Sequence, residues 1–319
     1  MNYCHVNGVE ILQGGMNTPP SSWDCIVFDV DGVLVDATVS YPAAILDALH
    51  WFTSQVFSGD TSRLGLIGHK DIPRFKAAGG FNDEWNLAYA AALWIAWQAL
   101  DPKAPSLKSY INAIQQAKGG LKTIHQLLTQ AGVDQAVYAH CPKDSIMQLA
   151  QEFYGGTDAC QELFGFMPRT VKDIGRHHLE HPLVSATQLD PFRAGLGIYT
   201  GRSANETLFV LKSFQLEALF PAHLRVTASS GITKPDPAGL NHVIQNLSHQ
   251  GALFVGDTLD DWQTVLNHRL RWPAIPVFFA GITSGAMGPP SREIFAQAGV
   301  DLIAPSTQHL LDWLNSLKN

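Results

Sequence analysis

Charged residues and cysteines are both scarce in this sequence. Lys, Arg, Asp and Glu make up 15% of the 319 residues, and the formal net charge is −7. A sparsely charged, acidic composition argues against a general nucleic-acid or anionic-membrane partner. The few cysteines show no paired spacing, which indicates thiols in a reducing compartment rather than disulfides or a zinc site. They are Cys4, Cys25, Cys141 and Cys160.

The sequence also lacks an apolar run long enough to span a bilayer. The longest candidate, residues 87–100, includes Trp94, Trp97 and Gln98, a composition typical of a helix in a soluble protein. The N-terminus has no basic residue followed by an apolar core, so the sequence predicts no signal peptide. We therefore expect a cytoplasmic protein that has neither a membrane nor a nucleic acid as its partner.

The length of the chain and the spacing of its apolar residues indicate two domains and an α/β fold. With 319 residues, 46% of them hydrophobic, the chain exceeds what one core usually supports. Helical spacing dominates residues 37–186, whereas residues 187–319 alternate between short apolar runs and helical segments. Together with residues 23–36, the alternating part predicts a parallel sheet covered by helices on both faces. Residues 1–22 are polar and predict an extension or a loose hairpin.

Start and stop signals locate the individual elements. Pro42 lies near the first turn of one helix, Asn82 or Asp83 caps another, and Ser203 with Glu206 forms a capping box. Within the helical part, the predicted helices cover residues 42–57, 83–100, 107–118, 121–131, 144–153 and 170–179. The predicted strands cover residues 26–28, 196–200, 224–227, 252–255, 275–279 and 301–303.

The most informative local pattern is a pair of aspartates after the first apolar strand. Asp29 and Asp31 follow Ile26–Phe28 and precede Gly32. Residues two apart project to the same side of a strand, so both carboxylates can meet at the end where open α/β sheets bind ligands. Two acids this close repel each other unless a cation or a proton lies between them. Taken alone, the pattern is equally compatible with an acidic turn that closes a strand.

Three further clusters follow later strands. Thr200 and Gly201 offer a hydroxyl and backbone N–H groups before a helix, which suits a phosphate oxygen. Lys234 lies on a loop made rigid by the following proline. Asp257 ends another strand, and Asp261 lies one helical turn on, so both can face one ion. Each cluster also has an ordinary alternative: a helix cap, a solvated loop lysine, or helix N-terminal acids favoured by the helix dipole.

In this order the clusters resemble the four motifs of the haloacid dehalogenase superfamily. The motifs are Asp-x-Asp-Gly, a Thr or Ser after a strand, a Lys before a Pro, and Gly-Asp-x-x-x-Asp. The resemblance implies a Rossmann-like core formed by residues 23–36 and 187–319. It also implies an inserted all-helical cap, residues 37–186. A cap between the first and second motifs resembles the phosphoglycolate phosphatase branch of the superfamily.

The resemblance also implies roles for the motif residues. Asp29 would be the nucleophile that forms an aspartyl-phosphate, and Asp31 the general acid and base. Thr200, Lys234 and the Gly201 N–H would hold the phosphate oxygens. A magnesium ion, Mg²⁺, would be the cofactor, since hard oxygen ligands suit it. Its ligands would be Asp29, the Asp31 backbone carbonyl, Asp257 and Asp261, the last preferred to its neighbour Asp260.

Substrate recognition is expected to involve a second group of residues. In the cap, Arg74 and Lys76 are candidates to meet an anionic substrate, although a solvated basic face explains these two cations equally well. Asn82 is a candidate to line the mouth of the site. Arg202 follows the second motif directly. It can either reach the substrate or pair with an acid, and the sequence favours neither.

The implied activity is hydrolysis of a phosphate monoester of a small metabolite. Asp31 favours this over dehalogenation, because a halide leaves without protonation and dehalogenases resembling this fold lack the second acid. A sugar phosphomutase uses the same four motifs and remains an alternative. A non-catalytic protein that binds a phosphorylated ligand is a third possibility, but such proteins are expected to have lost a nucleophile, lysine or metal carboxylate.

Overall fold

The structure is a computed structural model, and it divides into two compact units. One unit, here the core unit, comprises Met1–Thr38 and Glu180–Asn319, and the other, here the helical unit, comprises Val39–Leu179. The residues that the structure describes are 2–13, 25–57, 67–81, 83–117, 119–247, 251–285, 287–288 and 290–317.

The core unit is built on a mostly parallel sheet. Among the described residues, eight strands join it in the order β1-β2-β10-β9-β8-β3-β6-β7. All neighbours pair in parallel except β1 with β2 and β2 with β10. The separate strands β4 and β5 form a short antiparallel ladder. The strands are β1 (Tyr3–Val6), β2 (Val9–Leu12), β3 (Cys25–Phe28), β4 (Val35–Asp36), β5 (His181–Pro182), β6 (Leu196–Tyr199), β7 (Arg225–Val226), β8 (Ala252–Gly256), β9 (Val277–Ile282) and β10 (Leu302–Ala304).

The helical unit consists of helices joined by turns across its described residues. One aromatic cluster packs Trp85 against Tyr41, Tyr154 and Phe164, with ring centroids 5.5–5.7 Å from the Trp85 ring. The helices are α1 (Ser40–Val56), α2 (Ile72–Ala78), α3 (Glu84–Leu100), α4 (Leu107–Ala117), α5 (Gly120–Ala131), α6 (Asp134–His140) and α7 (Lys143–Phe164).

Helices cover both faces of the core sheet, because its strands are apolar on both sides. In β3, Ile26 and Phe28 face one hydrophobic cluster, while Cys25 and Val27 face the other. This burial on two faces is typical of parallel sheets and confirms the predicted α/β fold. The first cluster is covered by α8 (Ala186–Leu189), α9 (Ala204–Ser213) and α13 (Thr307–Ser316), and the second by α10 (Ala238–Asn246), α11 (Leu259–Arg271) and α12 (Ser291–Ala298).

The N-terminal segment takes the hairpin form, one of the two forms that its sequence predicts, and this hairpin joins the core sheet. Its described part, residues 2–13, forms a hairpin whose strand β2 pairs with β10 at the edge of the sheet. Asn7 and Gly8, both with positive φ, make the tight turn that this dipeptide favours. Arg292 binds the Glu10 carboxylate with two hydrogen bonds of 2.7 Å, which ties the hairpin to the core unit.

One predicted helix, residues 170–179, is wrong. Only Arg176–Leu179 forms a turn of 3₁₀-helix. The amides of Thr170 and Val171 donate instead to the buried Glu152 carboxylate, at 2.6 and 3.2 Å. A side chain from α7 thus takes the N–H groups that would start the predicted helix.

None of the four cysteines forms a disulfide, as their spacing predicts. In the described part of the chain, every helix is too short or too polar to cross a bilayer.

His268 on α11 is a buried histidine that we expect to weaken the fold in mild acid. Its ring is fully buried, and neither nitrogen finds a hydrogen-bond partner among the described residues. Burial, with Arg269 adding to it, lowers the pKa of His268 from 6.5 to about 4. Below pH 6.5 the unfolded chain therefore protonates His268, whereas the folded chain keeps it neutral until the pH approaches 4.

This histidine predicts a specific pH dependence of stability. Its contribution is fully present above pH 6.5 and is lost as the pH falls toward 4, by about 2 kcal/mol at pH 5. Urea unfolding of wild type and His268→Phe at pH 7.5 and pH 5 measures the difference. The loss between the two pH values should be smaller in His268→Phe. The exposed-residue control His242→Gln should behave as wild type, and equal losses in all three proteins would contradict the prediction.

Candidate active site

The four motif clusters meet at the carboxyl ends of the central strands of the core sheet. β3 lies between β8 and β6, so the chain order reverses on either side of it. Ligands of open α/β sheets bind outside the carboxyl ends of the strands at such a point. Asp29 follows β3, Thr200 follows β6 and Asp257 follows β8. The sheet topology therefore explains why residues far apart in sequence share one site.

Three buried aspartates form the centre of the site. Ligand oxygens of Asp29, Asp257 and Asp261 lie within 4.8 Å of one another. Their exposed fractions are 6%, 2% and 0%. Asp260, the rival to Asp261 in the sequence, does not join this cluster. Asp257 lies just before Thr258, the N-cap of α11, and Asp261 lies in the first turn of this helix, so the turn at the helix start brings the two carboxylates together.

Lys234 lies between two of these acids. Its Nζ is 2.8 Å from Oδ2 of Asp29 and 2.6 Å from Oδ1 of Asp261. Burial alone would lower the pKa of Lys234, but the two carboxylates raise it above its ordinary value. The lysine therefore stays protonated and keeps the nucleophile candidate in place.

Asp29 is in an environment that resists its charge. Burial, reinforced by Asp261 and Asp31, raises the pKa of Asp29 to about 6 although Lys234 opposes the shift. When ionised, the three clustered acids exceed the single lysine by two negative charges. A bound cation would relieve this repulsion. Three oxygen donors in one buried cluster also match the ligand preference of Mg²⁺, so these residues fit the cofactor that the sequence implied.

Asp261 also has a structural role at the start of α11. Its Oδ2 accepts hydrogen bonds from the Asp257 N–H at 3.2 Å and from the N–H and hydroxyl of Thr258 at 3.0 and 2.7 Å. Asp261 is therefore both a helix N-terminal acid, which is the ordinary alternative for this residue, and a member of the buried acid cluster. These bonds fix the carboxylate that faces Lys234.

Two glycines make room for Asp257. A Cβ on Gly32 would lie 2.2 Å from Oδ2 of Asp257, and a Cβ on Gly285 would lie 2.1 Å from it. Gly32 also has a φ of +72°, which disfavours other residues. The sequence identified Gly32 only as a turn residue, and it gave no signal for Gly285 beyond the position of this glycine after β9.

Thr200 and Gly201 follow β6 and present hydrogen-bond donors near the carboxyl ends of the strands that carry the acids. The Thr200 side chain is buried, and its Oγ1 accepts a hydrogen bond from the Arg202 N–H at 3.3 Å. The cap of α9 is Ser203, with Glu206 completing the box, so the alternative of Thr200 as a helix cap is wrong. Within the described residues, the exposed Gly201 N–H has no hydrogen-bond partner. Both residues can therefore donate to an anion.

Arg202 pairs with two acids. Its Nε and Nη2 donate to Oδ1 of Asp31 at 3.0 and 2.6 Å, and Nη2 also donates to Oε1 of Glu180 at 2.9 Å. The Arg202 and Glu180 side chains are each 2% exposed. Of the two alternatives for Arg202, this geometry favours an acid partner over the substrate. Glu180 is not among the residues predicted from the sequence, because it is an isolated acid that has no motif around it.

The remaining candidates belong to the helical unit. Arg74 and Lys76 lie on α2, where Arg74 pairs with Asp71 at 3.0 Å and Lys76 pairs with Glu84 at 2.6 Å. Asn82 is outside the described residues, and Asp83 rather than Asn82 caps α3, by accepting from the Trp85 N–H at 2.9 Å. The two cations are partly exposed and already have acid partners.

Comparison with solved structures finds relatives that share this fold. The phosphatase Tt82 from Thermococcus thioreducens is 22% identical, with a TM-score of 0.62 over 92% of this chain and 99% of that chain. The Northeast Structural Genomics Consortium target ZR25 is 17% identical, with a TM-score of 0.56 over 92% of this chain and 98% of that chain. Identities this low establish the likeness of fold alone.

This chain matches part of a longer curated relative. An imidazoleglycerol-phosphate dehydratase from Phytophthora nicotianae is 21% identical over 240 residues, which are 74% of this chain. The chain spans 39% of the length of that relative.

A family model for haloacid dehalogenase-like hydrolases matches residues 23–265. The match begins before the aspartate pair at the end of β3 and extends past the acids at the start of α11, so it includes all four clusters of the site. It also covers well over half of the chain. This protein belongs to the haloacid dehalogenase-like hydrolase family.

Proposed function

We propose that this protein is a cytoplasmic, Mg²⁺-dependent phosphatase that hydrolyses a small phosphorylated metabolite through an aspartyl-phosphate. The observation that carries the proposal is the buried contact of Asp29 with Lys234 inside the cluster of acids. The Asp29 carboxylate contacts one cation, the Lys234 ammonium group. It also lies beside Asp257 and Asp261, which could bind a metal cation together with it. That environment suits a nucleophile that must approach a phosphate dianion.

The proposed reaction has two halves that use the same pair of acids. In the first, an Asp29 oxygen bonds to phosphorus, the bond from phosphorus to the ester oxygen breaks, and Asp31 protonates the departing alcohol. In the second, Asp31 takes a proton from water, the water oxygen bonds to phosphorus, and inorganic phosphate leaves Asp29. One group therefore acts first as acid and then as base.

The other residues of the site stabilise charge during both halves. Thr200, the Gly201 N–H and Lys234 would donate to the non-bridging phosphate oxygens as negative charge shifts among them. The metal site would be formed by Asp29, the Asp31 carbonyl, Asp257 and Asp261. A bound Mg²⁺ would supply positive charge to the phosphate.

The helical unit is proposed to act as the cap of a phosphoglycolate phosphatase-like enzyme. Its sequence is inserted between the first and second motifs, since the core unit ends at Thr38 and resumes at Glu180. Arg74, Lys76 and Asn82 remain its candidates for contact with the substrate. For Arg74 and Lys76, binding an anion would require exchange of their present acid partners, Asp71 and Glu84.

Phosphate release from a panel of monoesters tests the proposal. The panel contains phosphoglycolate, sugar phosphates, nucleotides and imidazoleglycerol phosphate, the last because the curated relative carries that name. We expect release from at least one ester with Mg²⁺, and at least about a hundredfold less after chelation with EDTA. Isomerisation of a sugar phosphate without release would favour the phosphomutase instead. Neither activity on any member would contradict the proposal and favour a binding protein.

A further inference from the structure

We propose that Arg202 is a positioning residue that holds the Asp31 carboxyl group so that its Oδ2 delivers the proton to the leaving alcohol. This inference rests on the proposed phosphatase function. Both hydrogen bonds from the guanidinium reach the same oxygen, Oδ1 of Asp31. Within the described part of the chain, Oδ2 of Asp31 accepts no hydrogen bond.

The two oxygens of Asp31 therefore have different chemical roles. Oδ1 already accepts two N–H groups from the guanidinium, so Oδ2 is the oxygen available to exchange a proton with the substrate. The Asp31 side chain is 35% exposed, so this side chain is partly accessible to a substrate. When the bond from phosphorus to the ester oxygen breaks, that oxygen keeps the electron pair and takes the Oδ2 proton. Asp31 becomes a carboxylate, and its charge is stabilised by the guanidinium already bound to Oδ1.

Glu180 holds Arg202 from the other side. A guanidinium that is 2% exposed needs a partner that is equally buried, and Glu180 supplies it at 2.9 Å. The planar fork of arginine, fixed between two acids, allows little rotation. Arg202 can thus orient Asp31 with a precision that a flexible, solvated side chain would lack.

The fold places Glu180 beside the Asp31 loop through a local ladder. His181 pairs with Asp36 where β5 meets β4, and the Leu183 N–H donates to the Leu34 carbonyl at 2.9 Å. These contacts join the two segments of the core unit directly after the aspartate pair. The position of Glu180 is therefore a consequence of this pairing.

Leaving-group dependence separates positioning of an acid from a structural role. A nitrophenolate leaves without a proton, whereas an alkoxide requires one. The experiment compares kcat/KM of Arg202→Lys with wild type on 4-nitrophenyl phosphate and on the best alkyl ester of the panel. kcat/KM is used because it includes steps only as far as release of the alcohol. We expect a loss of about 30-fold or more on the alkyl ester and of about threefold or less on the aryl ester.

The controls distinguish this inference from the function it depends on. Asp31→Asn should show the same selectivity with larger losses. Glu180→Gln, which disturbs Arg202 from its far side, should shift the ratio in the same direction and serves if Arg202→Lys does not fold. The exposed-residue control Arg193→Lys should match wild type. Equal losses on both esters, or no loss, would overturn the role of Arg202, while a wild type inactive on every ester would overturn the phosphatase itself.

Discussion

Asp29→Asn is expected to abolish turnover while the protein stays folded. In the wild type, Lys234 contacts Oδ2 of Asp29 at 2.8 Å and the Val30 N–H donates to Oδ1 at 2.7 Å. The amide of Asn keeps one oxygen, which can accept from Lys234 in place of Oδ2. It cannot attack phosphorus, so kcat on any ester should fall by at least about 10⁴-fold. Loss of a buried charge that is crowded by Asp261 should leave the metal-free melting temperature unchanged or higher.

The measurement combines phosphate release with thermal melting, each with and without Mg²⁺. The matched control is Asp190→Asn, which changes an exposed aspartate of the core unit and should keep wild-type activity. Mg²⁺ should raise the melting temperature of wild type more than that of Asp29→Asn, because one metal ligand is weakened. Activity above about 1% of wild type in Asp29→Asn would remove the proposed nucleophile.

Lys234→Met should impair both catalysis and stability. The substitution leaves the Asp29 and Asp261 carboxylates buried without the cation that joins them. Loss of one donor to the phosphate should lower kcat by about 10²–10³-fold. Breaking a buried ion pair on one side should lower the free energy of unfolding in metal-free buffer by about 3 kcal/mol. The sequence alone predicts only the effect of Lys234 on catalysis, because a lysine on a loop is ordinarily exposed.

Kinetics and urea unfolding in parallel test this expectation. Mg²⁺ should restore part of the lost stability, because a metal ion would neutralise the same acids, but it should not restore kcat. Lys212→Met, at an exposed position on α9, is the matched control and should change stability by less than about 0.5 kcal/mol. Full stability with full activity in Lys234→Met would contradict the role of the buried contact.

The core strands could be predicted because their signals are local. β3, β6 and β8 are short apolar runs that end in polar or glycine residues, and each run is buried on both faces. The capping box at Ser203 and Glu206 likewise specifies the start of α9 from a four-residue pattern. These elements carry the first, second and fourth motifs, so their order along the chain was enough to indicate the family.

Features that depend on distant contacts could not be predicted in the same way. The hairpin of residues 3–12 pairs with β10 almost three hundred residues away in sequence, in the register Ile11 to Leu302. Glu180 is placed by the β4–β5 ladder, and Gly285 by the space that Asp257 requires. No spacing within the chain encodes these contacts, since they result from packing between separate segments.

The partner of Arg202 could not be predicted from the sequence alone. Two roles were compatible with its position after the second motif, and nothing nearby in the chain separated them. The structure supplies the distinguishing fact, which is the pair of acids on either side of its guanidinium. The chemistry of a residue type was predictable, whereas the choice of partner depended on the fold.

Trapping the phosphorylated enzyme tests the central claim most directly. The protein is mixed with an ester that it hydrolyses, quenched with acid during turnover, and reduced with borohydride, which converts an aspartyl-phosphate to homoserine. Peptide mass spectrometry then locates the change. We predict homoserine at Asp29, absent without substrate and absent in Asp29→Asn. Phosphate release during turnover with an unmodified Asp29, or with the label on another residue, would contradict the account.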